Sequence, residues 1–233
     1  MRTPTEVFAT LRQDLRFGAD FLRQRLLRLA LIFLGLLLPL WGFAELADEV
    51  HEGEPLAFDA PILHFARDLA GEGLDRIFLF FSAVGYQWGV VPFDIALIAV
   101  LAWRRRMREG IFAGVAIVGS ALLNLSTKQF FARDRPSLWE SIAPEATYSF
   151  PSGHAMGSAT LAWVLLLLAW RTRWRWPVAI GMVAFAAMVA FSRVYLGVHY
   201  PSDILAGWAA ASAWTASVYL LVFRNGARPW RSG

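Results

Sequence analysis

The chain has 233 residues, of which 57% are hydrophobic and only 17% are charged, and its formal net charge is +4. A soluble domain typically carries about 25% charged residues, so the composition argues against a soluble globular protein. Disordered chains are poor in apolar residues, and a largely disordered protein is therefore excluded as well. The chain has no cysteine, which excludes disulfide frameworks, thiolate metal sites and cysteine nucleophiles.

Six apolar segments are long enough to cross a membrane, which takes about 20 residues of α-helix. They lie at 26–44, 76–102, 110–127, 153–170, 177–195 and 203–222. The sequence therefore predicts an all-α protein, built as a bundle of six transmembrane helices with short interfacial helices. We expect a cytoplasmic amphipathic segment at 1–25, a six-span domain at 26–222 and a cytoplasmic tail at 223–233.

The basic residues predict the orientation of the bundle. A six-span arrangement places four basic segments, with 16 of the 22 Lys and Arg residues, on one side of the membrane. Cytoplasmic loops are enriched in Lys and Arg, so we expect both termini in the cytoplasm. The expected location is a plasma membrane of bacterial type. In a membrane protein this charge pattern reports on orientation and does not indicate a nucleic-acid partner.

Two shorter segments are expected to lie on the membrane surface. In 6–25, apolar residues recur at helical spacing between arginines, which is typical of an amphipathic helix at the inner surface. A loosely ordered tail is the alternative. Ile62, Phe65 and Leu69, which follow Pro61, indicate a short helix on the outer side.

Four basic residues near span ends remain on the outer side. A charge at the membrane edge is costly unless it has a partner, so cations gathered at one outer face indicate an anionic ligand. The alternative is that each cation pairs with a local acid, such as Asp134 or Asp203, or reaches lipid phosphates. The four residues are Lys128, Arg133, Arg135 and Arg193.

The fourth span begins on the same outer face with the sequence Pro-Ser-Gly-His at 151–154. A helix N-terminus presents free N–H groups and the positive end of the helix dipole to an anion. Ser152 adds a hydroxyl group, Gly153 allows close approach to the backbone, and His154 can exchange a proton near neutral pH. An interfacial histidine without a chemical role is the alternative for His154 alone.

His199 lies four residues before Asp203, at the outer turn between the last two spans. At this spacing we expect the carboxylate to reach the ring, fix its tautomer and orient the other ring nitrogen outward. The alternative is that Asp203 caps the sixth helix and His199 is a loop residue. The loop 129–152 is long for a connection within a bundle, which favours a functional role.

Together the three clusters form K-x6-R-P at 128–136, P-S-G-H at 151–154 and S-R-x5-H-x3-D at 192–203. This pattern resembles the three-part signature of the type 2 phosphatidic acid phosphatase superfamily. The resemblance implies six spans with the site outside. It also implies metal-independent phosphoryl transfer through a phosphohistidine, with no cofactor.

The resemblance implies a role for each matching residue. His199 would be the nucleophile, and Asp203 its orienting partner. His154 would be the general acid that protonates the leaving oxygen. The groups expected to hold the phosphate are Lys128, Arg135, Arg193, Ser152 and the backbone N–H of Gly153.

We therefore expect a phosphatase that acts on a lipid phosphomonoester or pyrophosphate at the outer leaflet, with membrane lipids as its surroundings. Phosphatidate, phosphatidylglycerophosphate and undecaprenyl pyrophosphate all present a suitable terminal phosphate. The alternatives are a lipid phosphotransferase and a non-catalytic protein that binds or transports anionic lipids. Vanadate-dependent haloperoxidases share the signature, but six spans argue against that class.

Asp94 lies within the second predicted span, nearer its cytoplasmic end. An acid inside the membrane is a functional candidate by default. We favour the alternative of a hydrogen bond to a neighbouring helix, because this position is on the wrong side to join the phosphate site.

Overall fold

The computed structural model describes residues 25–53, 56–224 and 229–230, together with the single residue 18. The regular secondary structure of these residues is helical and includes no strand, in agreement with the predicted all-α class. The helices are α1 Arg25–Glu52, α2 Asp59–Asp68, α3 Glu72–Val84, α4 Val90–Trp103, α5 Met107–Phe131, α6 Gly153–Ala169, α7 Arg175–Tyr195 and α8 Pro201–Val222.

The predicted terminal parts fall largely outside the described residues. Of the expected amphipathic segment at 1–25, only residues 18 and 25 are described, and of the tail at 223–233 only 223, 224, 229 and 230. The predicted surface helix at 6–25 therefore lies outside the described residues, apart from those two positions. The division of the chain into three parts stays a prediction.

The helices form a bundle with an apolar outer surface. Helices α1, α5, α7 and α8 are long and apolar enough to cross a membrane, whereas α4 and α6 are apolar but shorter. Exposed apolar surface of this extent marks contact with lipid or with another protein. The large apolar side chains that are more than half exposed include Phe33, Trp41, Phe80, Ile95, Val118, Leu122, Ile180, Val183 and Leu221.

The segment 76–102, predicted as one continuous span, is two helices. Helices α3 and α4 are joined by a turn at 85–89, so the prediction of one helix was wrong. Gly85 packs so closely on α7 that a Cβ atom there would lie 2.5 Å from Cγ1 of Val189. A Cβ atom on Gly89 would overlap the backbone carbonyl that ends α3. The turn therefore needs glycine at both ends, which an apolar run does not reveal.

Helix α2 confirms the short helix predicted near Pro61, although the proline lies within the first turn rather than before it. Leu63 and Ala66 are buried in a cluster with side chains of α6, α7 and α8. The three apolar residues that indicated the helix, Ile62, Phe65 and Leu69, are exposed instead. An apolar outer face of this kind suits a helix that lies along a membrane surface.

Helices α6 and α8 lie side by side in the middle of the bundle. Their first turns approach so closely that a Cβ atom on Gly207 would lie 2.9 Å from the carbonyl oxygen of Ser152. At the same place, the N–H of Ser152 donates to the carbonyl oxygen of Asp203 over 3.0 Å. The starts of the two helices are therefore fixed to each other, which places two of the three sequence motifs side by side.

Candidate active site

The three sequence motifs meet at one end of the bundle. Lys128 lies in the last turn of α5, His154 in the first turn of α6, and Arg193 in the last turn of α7. His199 lies on the short connection between α7 and α8. The connection 132–152 packs over these helix ends through contacts of its own residues with all of them.

The carboxylate of Glu145, which the sequence analysis did not single out, lies at the centre of this cluster. Its Oε1 atom accepts a hydrogen bond from Nη2 of Arg193, and its Oε2 atom is 2.6 Å from Nη2 of Arg135. Nδ1 of His154 lies 3.8 Å from Oε1, and Nε2 of His199 lies 4.0 Å from Oε2. Two guanidinium groups thus bind the carboxylate, while the two imidazoles approach different oxygens.

Both guanidinium groups are fixed by further hydrogen bonds. Arg193 is only 1% exposed, and its Nη1 donates to the hydroxyl of Ser82 on α3. Arg135 donates to the carbonyl oxygens of Thr147 and Val198, each over 2.6 Å. These contacts hold the planar groups in place, and such forks match the oxygens of a carboxylate or phosphate.

A cavity of about 450 Å³ opens beside Glu145. Lys128, Gly153 and His154 line it. The ring of Tyr86 packs against that of His154, with 5.1 Å between their centroids. A lysine, a helix N-terminus and an imidazole therefore face the same space, which suits an anionic headgroup.

His199 is fully buried and does not line the cavity. Glu145, which lies near the ring, does line it. Burial lowers the pKa of His199 well below its usual value, and the charges of Arg135 and Arg193 lower it further. The ring is therefore neutral near pH 7. Its Nδ1 lies 3.2 Å from Oδ2 of Asp203, and its Nε2 lies 3.1 Å from Nη1 of Arg135. These partners favour a proton on Nδ1 and a lone pair on Nε2.

Burial raises the pKa of the Glu145 carboxyl, but the nearby cations outweigh that effect. The charges of Arg193, Arg135 and Lys128 hold the pKa below its ordinary value. Glu145 is therefore an anion near neutral pH. An anionic group already occupies the position on which the cations converge.

Asp203 both contacts the His199 ring and caps the first turn of α8. Its Oδ2 accepts the N–H of Tyr200 over 2.9 Å, which caps the first turn of α8. The same oxygen lies 3.2 Å from Nδ1 of His199. The contact predicted from the four-residue spacing is therefore present, and the capping alternative holds together with it.

Arg133 does not line the cavity, and it binds two carboxylates. Its Nη1 is 2.6 Å from Oδ1 of Asp203, and its Nη2 is 3.1 Å from Oδ2 of Asp59. Asp59, the first residue of α2, also accepts the N–H of Ser202 over 2.9 Å and its hydroxyl over 2.6 Å. The alternative of pairing with a local acid thus holds for Arg133. No sequence motif pointed to Asp59.

Ser152 and Gly153 differ in their relation to the cavity. The hydroxyl of Ser152 is buried and accepts the N–H of Ala155 over 3.4 Å, so it caps α6 and does not line the cavity. Gly153 does line it, and a Cβ atom there would lie 3.0 Å from Oδ1 of Asn124. At the start of α6, the backbone at Gly153 rather than the serine side chain faces the space.

Asp94 lines a second cavity, of about 310 Å³, whose wall shares Tyr86, Asn124 and Gly153 with the first cavity. Its Oδ1 atom has no hydrogen-bond partner among the described residues. Asp94 does not line the first cavity, so its predicted separation from the phosphate site stays a prediction, but within the described part of the chain its Oδ1 lacks the hydrogen bond to a neighbouring helix that the sequence analysis favoured.

The described helices and the cluster at their end define a multi-pass helical membrane protein with a site for an oxyanion. Within the described residues, no group of three or more His, Cys, Asp or Glu side chains is arranged to hold a metal ion. The family model of the PAP2 superfamily matches residues 109–227, just over half of the chain, and the chain belongs to this superfamily. Membership confirms the resemblance drawn from the motifs and the prediction of a membrane phosphatase.

Individual relatives agree with the family assignment. The chain is 33% identical over 144 residues to the undecaprenyl-diphosphatase of Sulfolobus acidocaldarius, with 60% of this chain and 66% of the relative covered. It is 28% identical to the phosphatidylglycerophosphatase B of Bacillus subtilis, with 71% and 84% covered. It resembles the crystal structure of a PAP2 type phosphatidylglycerolphosphate phosphatase from Bacillus subtilis, with a TM-score of 0.69, 25% identity and coverage of 78% and 94%.

Substitution of Glu145 tests whether the carboxylate competes with phosphate for the arginines. In Glu145→Gln we expect inorganic phosphate to inhibit phosphatase activity about 10-fold more tightly, because a neutral amide competes weakly with an oxyanion for two guanidinium groups. The measurement is the inhibition constant of phosphate in detergent.

Glu140→Gln, an exposed position on the same connection, is the matched control and should leave that constant unchanged. Thermal unfolding with and without phosphate provides a second readout, since phosphate should stabilise Glu145→Gln more than the wild type. Equal or weaker binding of phosphate by the variant would contradict the competition.

Substitution of Asp59 tests the carboxylate pair around Arg133. In Asp59→Asn we expect kcat to fall by about 10- to 100-fold, because a small misplacement of Asp203 and the His199 ring is costly in rate. KM should change little, since Asp59 does not contact Arg135 or Arg193. Steady-state kinetics in detergent measures both constants.

Asp68→Asn, at the exposed end of the same helix, is the control and should match the wild type. A rise in KM with unchanged kcat would show that Asp59 acts on substrate binding instead.

Proposed function

We propose that this protein hydrolyses the terminal phosphate of a membrane lipid at the outer leaflet, through a phosphohistidine intermediate. The candidate substrates are phosphatidate, phosphatidylglycerophosphate and undecaprenyl pyrophosphate. One observation carries the proposal: the Glu145 carboxylate is held by two arginines, with an imidazole near each of its oxygens. A phosphoryl group bound in its place meets a buried imidazole on one side and a second imidazole on the other.

The first step forms the phosphoenzyme. Nε2 of His199 attacks phosphorus, the Nε2–P bond forms, and the bond between phosphorus and the leaving oxygen breaks. His154, once protonated beside the anionic phosphate, donates its proton to that oxygen, and Asp203 stabilises the positive charge on the His199 ring. Phosphoryl transfer depends mainly on positioning and on stabilisation of the oxygen charges. The groups assigned to this task are Lys128, Arg135, Arg193 and the backbone N–H of Gly153, with Ser152 capping the helix behind them.

The second step returns the enzyme to its starting state. A water molecule attacks phosphorus while neutral His154 accepts its proton, and the Nε2–P bond breaks. Inorganic phosphate leaves, and His199 regains its neutral ring. A positioned acid–base group of this kind typically contributes on the order of 10²–10⁴ in rate.

We also propose that the bundle crosses the membrane six times, with α3 and α4 together forming one crossing. Helix α4 has 14 residues and is about 21 Å long, which is short of the hydrocarbon core of about 30 Å. The candidate active site lies at the opposite end of the bundle from the connections at 104–106 and 170–174. Those connections and their flanks are rich in arginine, which supports a cytoplasmic position for them. The site then faces the periplasm or the exterior, and both termini are cytoplasmic.

The natural absence of cysteine allows a direct test of this orientation. We expect a single cysteine at Ser137, on the connection that covers the site, to react with a membrane-impermeant maleimide in intact cells. A cysteine at Arg173, on the arginine-rich connection, should react only after the membrane is broken. The reverse pattern would place the site in the cytoplasm.

Phosphate release from a panel of lipids tests the proposed reaction. Purified protein in detergent with EDTA should release phosphate from at least one of phosphatidate, lysophosphatidate, phosphatidylglycerophosphate and undecaprenyl pyrophosphate. His199→Ala should lower the rate on the order of 10³-fold or more, because it removes the nucleophile. His64→Ala, at an exposed position of α2, is the matched control and should keep full activity.

Four outcomes would overturn parts of the proposal. Loss of activity in EDTA would contradict metal independence, and activity that survives in His199→Ala would contradict the phosphohistidine. Binding of these lipids without release of phosphate from any would favour a non-catalytic role. An added alcohol that receives the phosphoryl group in preference to water would favour a phosphotransferase.

A further inference from the structure

Asp94 is a buried carboxyl group near the start of α4, and it is only 8% exposed. Its Oδ1 atom has no hydrogen-bond partner among the described residues. Buried polar groups in folded proteins are nearly always hydrogen-bonded, so a group without a partner calls for an explanation. The reaction proposed above makes no use of this side chain.

The surroundings of Asp94 indicate that the missing partner comes from a ligand. The side chain lines the cavity of about 310 Å³, whose other lining residues, such as Val90, Ile98 and Ile117, are mainly apolar. Ser120 and Thr160 also line it, but their hydroxyls are hydrogen-bonded to each other over 2.7 Å. Asp94 thus contributes the one buried polar atom of this lining without a partner in the described chain.

This cavity adjoins the candidate active site and extends from it into the bundle. The two cavities share Tyr86, Asn124, Leu125 and Gly153. Along α6, the second cavity extends from Gly153 to Thr160, a rise of about 10 Å. A lipid with its phosphate at the first cavity therefore has a path for the adjoining part of the molecule, and this path passes Asp94.

We propose that the second cavity binds the glycerol ester region of a glycerolipid phosphate, where the protonated carboxyl group of Asp94 donates a hydrogen bond to an ester oxygen or pairs with a hydroxyl group. The inference rests on the proposed function, and it makes Asp94 a determinant of substrate choice. A glycerolipid carries oxygen atoms a few bonds beyond its phosphate. A polyprenyl chain offers only hydrocarbon after its phosphates, so it leaves the carboxyl group buried without a partner, which disfavours binding.

The test compares two substitutions of similar size and different polarity. Asp94→Leu removes every polar atom, whereas Asp94→Asn keeps both a donor and an acceptor. The measured quantity is the ratio of kcat/KM for phosphatidate to that for a polyprenyl diphosphate in the same mixed micelles. In Asp94→Leu we expect the ratio to fall about 10-fold, which corresponds to about 1.4 kcal/mol. Asp94→Asn should keep the wild-type ratio.

Two results would overturn the inference: an unchanged ratio in Asp94→Leu, or an equal change in both variants. A wild type that releases phosphate from neither lipid would count against the proposed function instead. Thermal stabilisation by phosphatidate and by polyprenyl phosphate, measured on the wild type and both variants, still decides the role of Asp94 in that case. Selective loss of stabilisation by phosphatidate in Asp94→Leu supports the inference, and equal stabilisation of all three proteins overturns it.

Discussion

A guanidinium group buried at the edge of a membrane needs a counter-charge, because its removal from water is otherwise too costly. The site meets this requirement in two ways. Arg133 is paired within the protein to Asp59 and Asp203, and none of the three lines the cavity. Arg135 and Arg193 are paired to Glu145, which borders the cavity. The pairing of Arg133 holds the Asp203 carboxylate, which orients His199. In the other pairing, the Glu145 carboxylate occupies the position proposed for the substrate phosphate.

The packing of the helices holds these charged groups at fixed positions relative to one another. The close approach at Gly207 and the backbone hydrogen bond between Ser152 and Asp203 fix the first turns of α6 and α8. The turn between α3 and α4 brings Ser82 to Arg193 and Tyr86 to His154. Rigid helix ends therefore hold the reactive groups, which favours catalysis that depends mainly on positioning.

The sequence was most informative where a periodic pattern or a fixed spacing carries the information. Apolar runs located the main helices, and the spacing from His199 to Asp203 predicted a contact that the structure contains. Glu145 escaped notice because it lies on an irregular connection, where its neighbours in sequence do not indicate its neighbours in space. The turn at Gly85 escaped notice because the surrounding run is apolar throughout. The pairing of Arg133 with Asp59 was not predicted either, because it depends on tertiary contacts between distant segments.

The location of Glu145 has a consequence for which phosphates reach the site. Its partner Arg193 lies on α7 and is anchored by Ser82, whereas Glu145 and its other partner Arg135 both belong to the connection between α5 and α6. A group linked to its binding partner through the same chain acts at a high effective concentration. Under the proposed function, dilute phosphate esters dissolved in water would compete poorly with the protein's own carboxylate. A lipid confined to the same bilayer would arrive at a high local concentration, so anchorage in the membrane would become part of substrate selection.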